Sequence, residues 1–324
     1  MDIQRREALA IWILLGTCLL WSCSASPSLA PTLTVSPPTL IPSTPTATLV
    51  PTSTRLPGPW QIVGIYSADH SIMTAGFLNE QVAATGGMLG QMAYSNDGAL
   101  TWLVTDAHSD CRYGIEVVSP QVIFACGGAT QVRKSVDGGK TWQVLAAFGN
   151  ARTITNPCHS MSFIDENIGW LANSNLFGTT IDGGLTWTMQ ALPESADKIA
   201  TIDTYESGAG YLLDQSGVLF FTQDDGAHWN AAGRLDLGAL KMPLSAYQLA
   251  AMRFADSQHG LVIVSPTDKG TAEPVLAFHT SDGGGTWTSE VVPVPAGPVY
   301  LARDGKLLTV ISSVDQLTLL RYEK

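Results

Sequence analysis

Residues Ser135–Trp142 read SVDGGKTW, a pattern of hydroxyl residue, Asp, two glycines and Thr-Trp that returns along the chain. Residues Thr180–Trp187 (TIDGGLTW) and Thr280–Trp287 (TSDGGGTW) repeat it in full. Residues Ser95–Trp102 (SNDGALTW) have lost one glycine, and residues Thr222–Trp229 (TQDDGAHW) have lost the Thr. A chance origin is implausible for five copies at matching offsets, so the chain is built from internal repeats.

Each copy predicts a tight turn between two strands. A strand ends at the hydroxyl residue, the Asp carboxylate accepts backbone N–H groups across the turn, and glycine supplies backbone angles with positive φ. The Trp ring then packs between neighbouring sheets. A structural role is therefore favoured over a catalytic or calcium-binding one for the Asp and Trp of each copy: Asp97, Trp102, Asp137, Trp142, Asp182, Trp187, Asp224, Trp229, Asp282 and Trp287.

A second, weaker pattern of six recurring positions precedes these turns, and the spacing between those positions gives the repeat length. Its positions are separated by 40, 46, 41, 50 and 47 residues, a length that fits four short strands with their turns. Such a unit is typical of one blade of a β-propeller. The sequence predicts an all-β, six-bladed propeller of four-stranded blades, with seven blades as the alternative. The six positions are Phe77, Val117, Phe163, Thr204, Phe254 and Leu301.

The last repeat lacks an outer strand of its own. Strands are predicted over 306–312 and 316–322, and Tyr322 holds the hydroxyl position of the pattern. The missing strand has a counterpart near the start, where residues 58–63 (GPWQIV) resemble residues 140–145 (KTWQVL). We therefore expect residues 60 to 65 to complete the last blade and close the ring, which removes two exposed sheet edges.

Two segments precede the propeller. Residues 1–23 carry Arg5 and Arg6, then an apolar stretch, and end at Cys23, the pattern of a secretory signal with a bacterial lipobox. Lipidation at Cys23 is predicted, with cleavage near Ala25 or no cleavage as alternatives. Residues 24–59 hold nine of the 18 prolines, six serines and eight threonines, which predicts a disordered stalk or, alternatively, a segment without a role. Residues 60–324 form the propeller.

Charge narrows the class of partner. Lys and Arg total 17 against 28 for Asp and Glu, a net charge of −11, so the field of the protein repels a phosphate backbone. No nucleic-acid partner is expected. We expect the protein to contact a membrane through the lipid anchor.

A ligand is expected on one face of the propeller. The repeated turns share one face, and the loops that lead into the inner strands gather on the other, where function usually resides. These loops are 66–70, 106–113, 147–159, 190–198, 231–247 and 292–297. Their candidate binding residues are His70, Asp106, His108, Asp110, Arg112, Arg152, His159, Glu194, Asp197, Lys198, Arg234 and Asp236.

No metal or cofactor is predicted. Asp106, His108 and Asp110 are residue types that ligate metals, but without a second cluster of matching spacing a solvated loop is favoured. The insertion between Asn230 and Tyr247 carries four leucines and a methionine. It either caps the channel or docks a partner, or, as is more common, packs down on its own propeller.

Three cysteines lie outside the signal segment. Cys111 and Cys158 occupy nearly equivalent positions ahead of neighbouring inner strands, and export permits oxidation. We predict a disulfide between Cys111 and Cys158, with Cys126 buried as a small apolar residue. The alternative is a bond between Cys111 and Cys126.

The eight-residue pattern resembles the Asp-box, or BNR repeat. Its pairing with a preceding turn such as Phe163–Trp170 (FIDENIGW) resembles the photosystem II stability and assembly factor family, over residues 60 to 324. That resemblance implies a non-catalytic propeller that holds other proteins. The sequence departs from the family in its lipoprotein-like start, its Pro/Thr-rich stalk and its six blades.

The sequence as a whole predicts an exported, lipid-anchored, non-catalytic scaffold that binds a protein or glycan at the cell surface. Sialidases also carry Asp-boxes, so a glycoside hydrolase is one alternative. It requires three arginines, a Tyr with a Glu partner and an acidic proton donor, and no three arginines converge by sequence. The second alternative is an assembly factor for a membrane protein complex such as photosystem II.

Overall fold

The computed structural model describes residues 54–55, 58–68, 70–87, 90–106, 112–127, 131–147, 158, 160–313 and 315–323. All of these described residues belong to one compact unit. Over these ranges the protein is built from β-strands, and helix is limited to two short 3-10 turns, Leu237–Ala239 and Leu244–Ala246.

Six antiparallel sheets make up this unit. Two strands come first, β1 (Thr54–Arg55) and β2 (Trp60–Ser67). Blade 1 contains β3 (Thr74–Phe77), β4 (Ala83–Gly86), β5 (Gln91–Ser95) and β6 (Leu103–Asp106). Blade 2 contains β7 (Arg112–Val117), β8 (Ile123–Gly127), β9 (Gln131–Ser135) and β10 (Gln143–Ala147).

The next three blades follow the same order. Blade 3 contains β11 (Ser160–Phe163), β12 (Gly169–Ala172), β13 (Phe177–Thr180) and β14 (Thr188–Gln190). Blade 4 contains β15 (Ile199–Glu206), β16 (Ala209–Asp214), β17 (Val218–Thr222) and β18 (Asn230–Arg234). Blade 5 contains β19 (Tyr247–Phe254), β20 (Gly260–Pro266), β21 (Val275–Thr280) and β22 (Thr288–Val292).

The sixth blade closes the ring with strands from both ends of the propeller. It contains β23 (Val299–Leu301), β24 (Leu307–Ser313) and β25 (Gln316–Tyr322), and β2 pairs with β25 from Trp60 opposite Tyr322 to Ser67 opposite Gln316. The predicted closing strand is confirmed and is two residues longer than expected. The two-residue strand β1 adds to the outside of β2, from within the predicted stalk.

The inner strands β3, β7, β11, β15, β19 and β23 each contact the next in order, and β23 contacts β3. The predicted six-bladed β-propeller is therefore confirmed, and the seven-bladed alternative is wrong. Hydrophobic clusters fill the seams between blades, as where Trp60 packs with Val292 of blade 5 and Leu320 of blade 6. Trp60 is fully buried, so the closing strand shares the core of both blades.

Each Asp-box carboxylate spans its turn. In blade 2, Asp137 Oδ1 accepts hydrogen bonds from Ser135 Oγ and Thr141 N, both at 2.9 Å, and Oδ2 accepts one from Thr141 Oγ1 at 2.6 Å. Gly138 and Gly139 have φ of 71° and 77°, in the left-handed region. Hydrogen bonds to the ionised carboxylate lower the pKa of the equivalent Asp282 to about 2.

The two degenerate copies keep this geometry with other residues. Ala99 (φ 63°) and Asp225 (φ 54°) hold left-handed positions that glycine holds elsewhere. Asp225 Oδ1 also accepts a hydrogen bond from Trp170 Nε1 of blade 3, at 3.1 Å. His228 takes the place of the Thr, with Nδ1 2.6 Å from Asp224 Oδ2. The turn is thus specified by its hydrogen-bond pattern rather than by one exact sequence.

The disulfide joins Cys126 of β8 to Cys158, which precedes β11, with 5.9 Å between the Cα atoms. The predicted bond between Cys111 and Cys158 is wrong, and so is the alternative between Cys111 and Cys126. Cys126 pairs across the sheet with Gly114, and a Cβ on Gly114 would lie 3.0 Å from the Cys126 sulfur. Because Gly114 has no side chain, Cys126 has room to reach the neighbouring blade. Cys111 lies outside the described residues.

The apolar insertion between Asn230 and Tyr247 packs against its own propeller, which is the arrangement that the sequence analysis gave as more common. Strand β18 occupies its first five residues, and the two 3-10 turns follow. Leu235 is buried, and the remaining apolar side chains contact the seam between blades 4 and 5: Leu237, Leu240, Met242 and Leu244.

Candidate functional site

The central channel is lined by one recurring register of the inner strands. Each inner strand has one residue immediately before the recurring position that gave the repeat length (Phe77, Val117, Phe163, Thr204, Phe254 or Leu301). In order around the ring, these residues are Gly76, Glu116, Ser162, Asp203, Arg253 and Tyr300. Ser162, Asp203 and Arg253 line the opening of the channel on the Asp-box face, and Glu116 and Arg253 line its interior. The repeat therefore brings charged residues from separate blades into one place.

Arg253 of blade 5 bridges two carboxylates. Its Nη2 lies 2.8 Å from Glu116 Oε2 of blade 2, and its Nη1 lies 2.9 Å from Asp203 Oδ1 of blade 4. Asp203 also accepts hydrogen bonds from Ser162 Oγ at 3.0 Å and from the backbone N of Phe254 at 2.6 Å. Blades 2 and 5 are opposite in a ring of six, so the guanidinium crosses the channel.

This network is buried, with side-chain exposures of 12% for Arg253, 6% for Glu116 and 3% for Asp203. Burial raises the pKa of both carboxyl groups, and Arg253 opposes the rise. Burial also disfavours the charged guanidinium, but the two carboxylates outweigh it and raise the pKa of Arg253. Both acids are held against one buried cation, so loss of Arg253 would leave two buried carboxylates unpaired.

Arg303 lies at the mouth of the channel on the Asp-box face. There it lines a cavity of about 280 Å³ together with Asp203, Arg253 and Asp304. It also lines a groove of about 420 Å³ between blades 5 and 6. Among the arginines whose side chains are described, Arg253 and Arg303 line the channel, which is one fewer than a sialidase carboxylate clamp requires.

A larger cavity opens on the opposite face, among the loops that lead into the inner strands. Its volume is about 800 Å³, within the range of ligand pockets in general. It lies against the starts of β15, β19 and β23, and we call it the loop-face cavity. Its wall contains Met73, Ser174, Asp197, Ala200, Thr201, Gln215, Leu244, Ser245, Tyr247, Gln248, Leu249, Ala250, Thr267, Pro298, Val299 and Tyr300.

Only Asp197, among the candidate residues whose side chains are described, lines this cavity. Glu194, Lys198, Arg234 and Asp236 are exposed elsewhere in the loops. Arg234 Nη1 donates to the carbonyl of Ser216, and Asp236 Oδ1 accepts from Gly238 N, so these two side chains support local turns.

His70 belongs to the core rather than to a binding surface. It is 5% exposed, its Nε2 lies 2.7 Å from Thr85 Oγ1, and its ring meets that of Trp102 edge-on. The remaining candidates lie outside the described residues: His108, Asp110, Arg152, His159 and Cys23, with the side chains of Asp106 and Arg112.

Sequence reasoning missed the channel residues Glu116, Asp203 and Arg253. A signal was present, because each of the three is a charged residue at the same position of its repeat, one residue before Val117, Thr204 or Phe254. In the portion of the chain that is described, no three His, Cys, Asp or Glu side chains are grouped as a metal site requires. That portion also contains no helix long and apolar enough to cross a membrane.

Comparison with known proteins gives a family likeness for the middle of the propeller. The model of the family described as photosynthesis system II assembly factor YCF48 matches residues 149–293, which contain blades 3 to 5. The chain resembles this family. A curated relative, the photosystem II assembly lipoprotein Ycf48 of Synechococcus sp. (strain CC9902), is 27% identical over 168 residues, or 51% of this chain. The match spans 44% of that relative's length.

Solved structures share the fold. YCF48 bound to D1 peptide has a TM-score of 0.51 at 14% identity, with 82% of this chain and 97% of that one covered. The GH74 xyloglucanase from Xanthomonas campestris has a TM-score of 0.52 at 13% identity, with 78% and 46% covered. Because identities this low show the fold alone, both a peptide-binding protein and an enzyme are compatible with the architecture.

Proposed function

We propose that this chain is a non-catalytic assembly factor of the Ycf48 type, which holds a segment of a membrane protein while a complex is built. The observation that carries the proposal is the family match across blades 3 to 5. The name of the curated relative and the D1 peptide bound by a structural neighbour support a protein ligand. The comparisons give no support to the glycan ligand that the sequence also allowed.

The geometry is consistent with binding rather than chemistry. Glu116 and Asp203 are engaged with Arg253 inside the channel, and the loop-face cavity combines apolar side chains with amides. The exposed amides of Gln215 and Gln248 each offer a donor and an acceptor to a peptide backbone. An extended protein segment fits such a wall, and we place the binding site there.

We further propose that the protein is exported and anchored by a lipid on Cys23. The signal-like residues 1–23 and the relative's description as a lipoprotein support this. A propeller attached in this way would stay close to membrane-inserted subunits. Photosystem II is the proposed complex where the host contains one.

A photoreactive amino acid at Gln248, in the full chain expressed in its host, tests the proposal. Gln248 is exposed and lines the cavity, and the control is Val144, which is 51% exposed on the outer strand of blade 2. We expect Gln248 to cross-link one subunit of a membrane complex, and deletion of the gene to lower the amount of assembled complex. The same products from both positions, or unchanged assembly, would contradict the proposal.

The enzyme alternative has a direct assay, because some neighbours in fold are GH74 enzymes. Purified full chain should release no sugar from xyloglucan or common aryl glycosides. Turnover that Glu116→Gln abolishes would show that the channel acids are catalytic and would overturn the proposed function.

A further inference from the structure

The described wall of the loop-face cavity carries negative charge only. Asp197 is the one charged residue in its described wall, and its carboxylate is exposed. A ligand that enters the cavity therefore meets negative charge, and none of the described lining residues is a cation that would offset it.

A second carboxylate lies behind this part of the wall. Asp214 is fully buried at the end of β16, where its Oδ2 accepts a hydrogen bond from Asp197 N at 3.0 Å. Its Oδ1 accepts from Ser216 N at 2.9 Å, Ser216 Oγ at 2.8 Å and Val218 N at 2.9 Å. These donors are all uncharged, so Asp214 adds to the negative potential at Asp197.

Two described cations of the surrounding loops, Lys198 and Arg234, leave this potential unpaired. Lys198 follows Asp197 in the chain but does not line the cavity, and Arg234 is engaged with the carbonyl of Ser216. No described ion pair involves Asp197 or Asp214. A positive group is therefore favoured inside the cavity, where partial exclusion of water strengthens the attraction.

The rest of the wall limits what else the ligand contains. Leu244, Tyr247 and Tyr300 present apolar surface, and the Tyr300 hydroxyl is held by a 3.0 Å hydrogen bond to the carbonyl of Met73. A free metal ion or a small amine would leave this surface uncovered. An extended peptide would cover it with aliphatic side chains and would pair its backbone with Gln215 and Gln248.

We propose that the loop-face cavity selects protein segments in which a Lys or Arg lies next to apolar residues, with the cation on Asp197. This inference rests on the proposed function, because it names the chemistry of the segment that the assembly factor holds. The cavity should therefore bind basic, apolar segments and repel acidic ones.

An array of end-blocked heptapeptides of randomised sequence, probed with the full chain, tests this selectivity. We expect the bound peptides to be enriched in Lys or Arg beside Leu, Val or an aromatic residue, and depleted in Asp and Glu. Asp197→Asn should weaken the best of them about tenfold, the effect of one lost charge-assisted hydrogen bond. The control Glu194→Gln, an exposed acid in the same loop that does not line the cavity, should change binding less than about twofold.

The outcomes separate this inference from the proposed function. If the Gln248 cross-link captures a membrane subunit but the array selects acidic or uncharged peptides, the selectivity is wrong and the proposed function stands. If the array binds nothing, the cross-linked segment decides: a Lys or Arg within three residues of the linked position supports the inference, and its absence overturns it. If neither experiment finds a ligand, both proposals fail.

Discussion

Ring closure through Trp60 gives the most demanding test of the fold. The indole is fully buried between blades 5 and 6, its Nε1 donates to Glu290 Oε1 at 2.9 Å, and its ring lies 4.9 Å from that of Tyr322. Trp60→Ala removes these contacts at once. Truncation of a buried Trp costs about 3–5 kcal/mol, and we expect a loss in this range.

A milder variant divides that loss into its parts. Trp60→Phe keeps most of the buried ring but removes the hydrogen bond to Glu290, which retains His279 Nε2 at 3.0 Å. We expect this variant to cost about 1–2 kcal/mol. Ile65→Ala is the matched control, because Ile65 is on the same strand with 49% of its side chain exposed, and it should cost less than about 0.5 kcal/mol.

Guanidinium denaturation of the full chain, followed by tryptophan fluorescence, measures these differences. A loss of about 4 kcal/mol moves the midpoint by about 1 M. Hydrogen exchange should also become faster in β25, the strand that pairs with β2. Equal midpoints for Trp60→Ala and Ile65→Ala, with unchanged exchange in β25, would refute closure through this strand.

Three further predictions concern the turns and the channel. Gly284→Ala should destabilise the protein by about 1–2 kcal/mol, because φ is 94° and the new Cβ would lie 2.4 Å from a Leu219 methyl. The control is Gly285→Ala, where φ is not left-handed, and it should lower the melting temperature less. The pKa of Asp282 is about 2 in the fold and about 3.9 in the unfolded chain, so its stabilisation is present above about pH 4 and is lost as the pH falls towards 2. Asp282→Asn should flatten that decline in a pH series of melting temperatures, and an unchanged slope would contradict the turn assignment. Arg253→Met should lower the free energy of unfolding by about 3–5 kcal/mol in urea denaturation, since it leaves two buried carboxylates unpaired. Further replacement of both acids by apolar residues should recover most of the loss. No recovery would mean that Arg253 acts by packing alone.

The sequence predicted those features that depend on local repetition. The Asp-box turns were recognisable because each needs a carboxylate, a hydroxyl and two left-handed positions within eight residues. Ring closure was also predictable, because the sequence around Trp60 (residues 58–63) repeats the sequence around Trp142 (residues 140–145). In each case the chemistry of one copy could be checked against the others.

Features that depend on one particular contact between blades were not predictable in this way. The disulfide uses Cys126 because Gly114, on the adjacent strand, leaves space for its sulfur. Arg253 meets Glu116 across the channel from 137 residues away, and neither strand alone shows the pair. His70 read as a polar loop residue, but its contacts with Thr85 and Trp102 bury it.

The pairing of β2 with β25 has a kinetic consequence for how the protein is made. Trp60 and Glu290, which meet at the closed seam, are 230 residues apart in the chain. Loop-closure entropy delays such distant contacts, whereas blades 1 to 5 each assemble from neighbouring strands. During synthesis, β2 therefore leaves the ribosome first among the blade strands and finds its partner last. Until then the sixth blade has three strands, the edge of β25 is bare and the seam that Trp60 fills is open. This is the stage at which the protein most needs protection from aggregation.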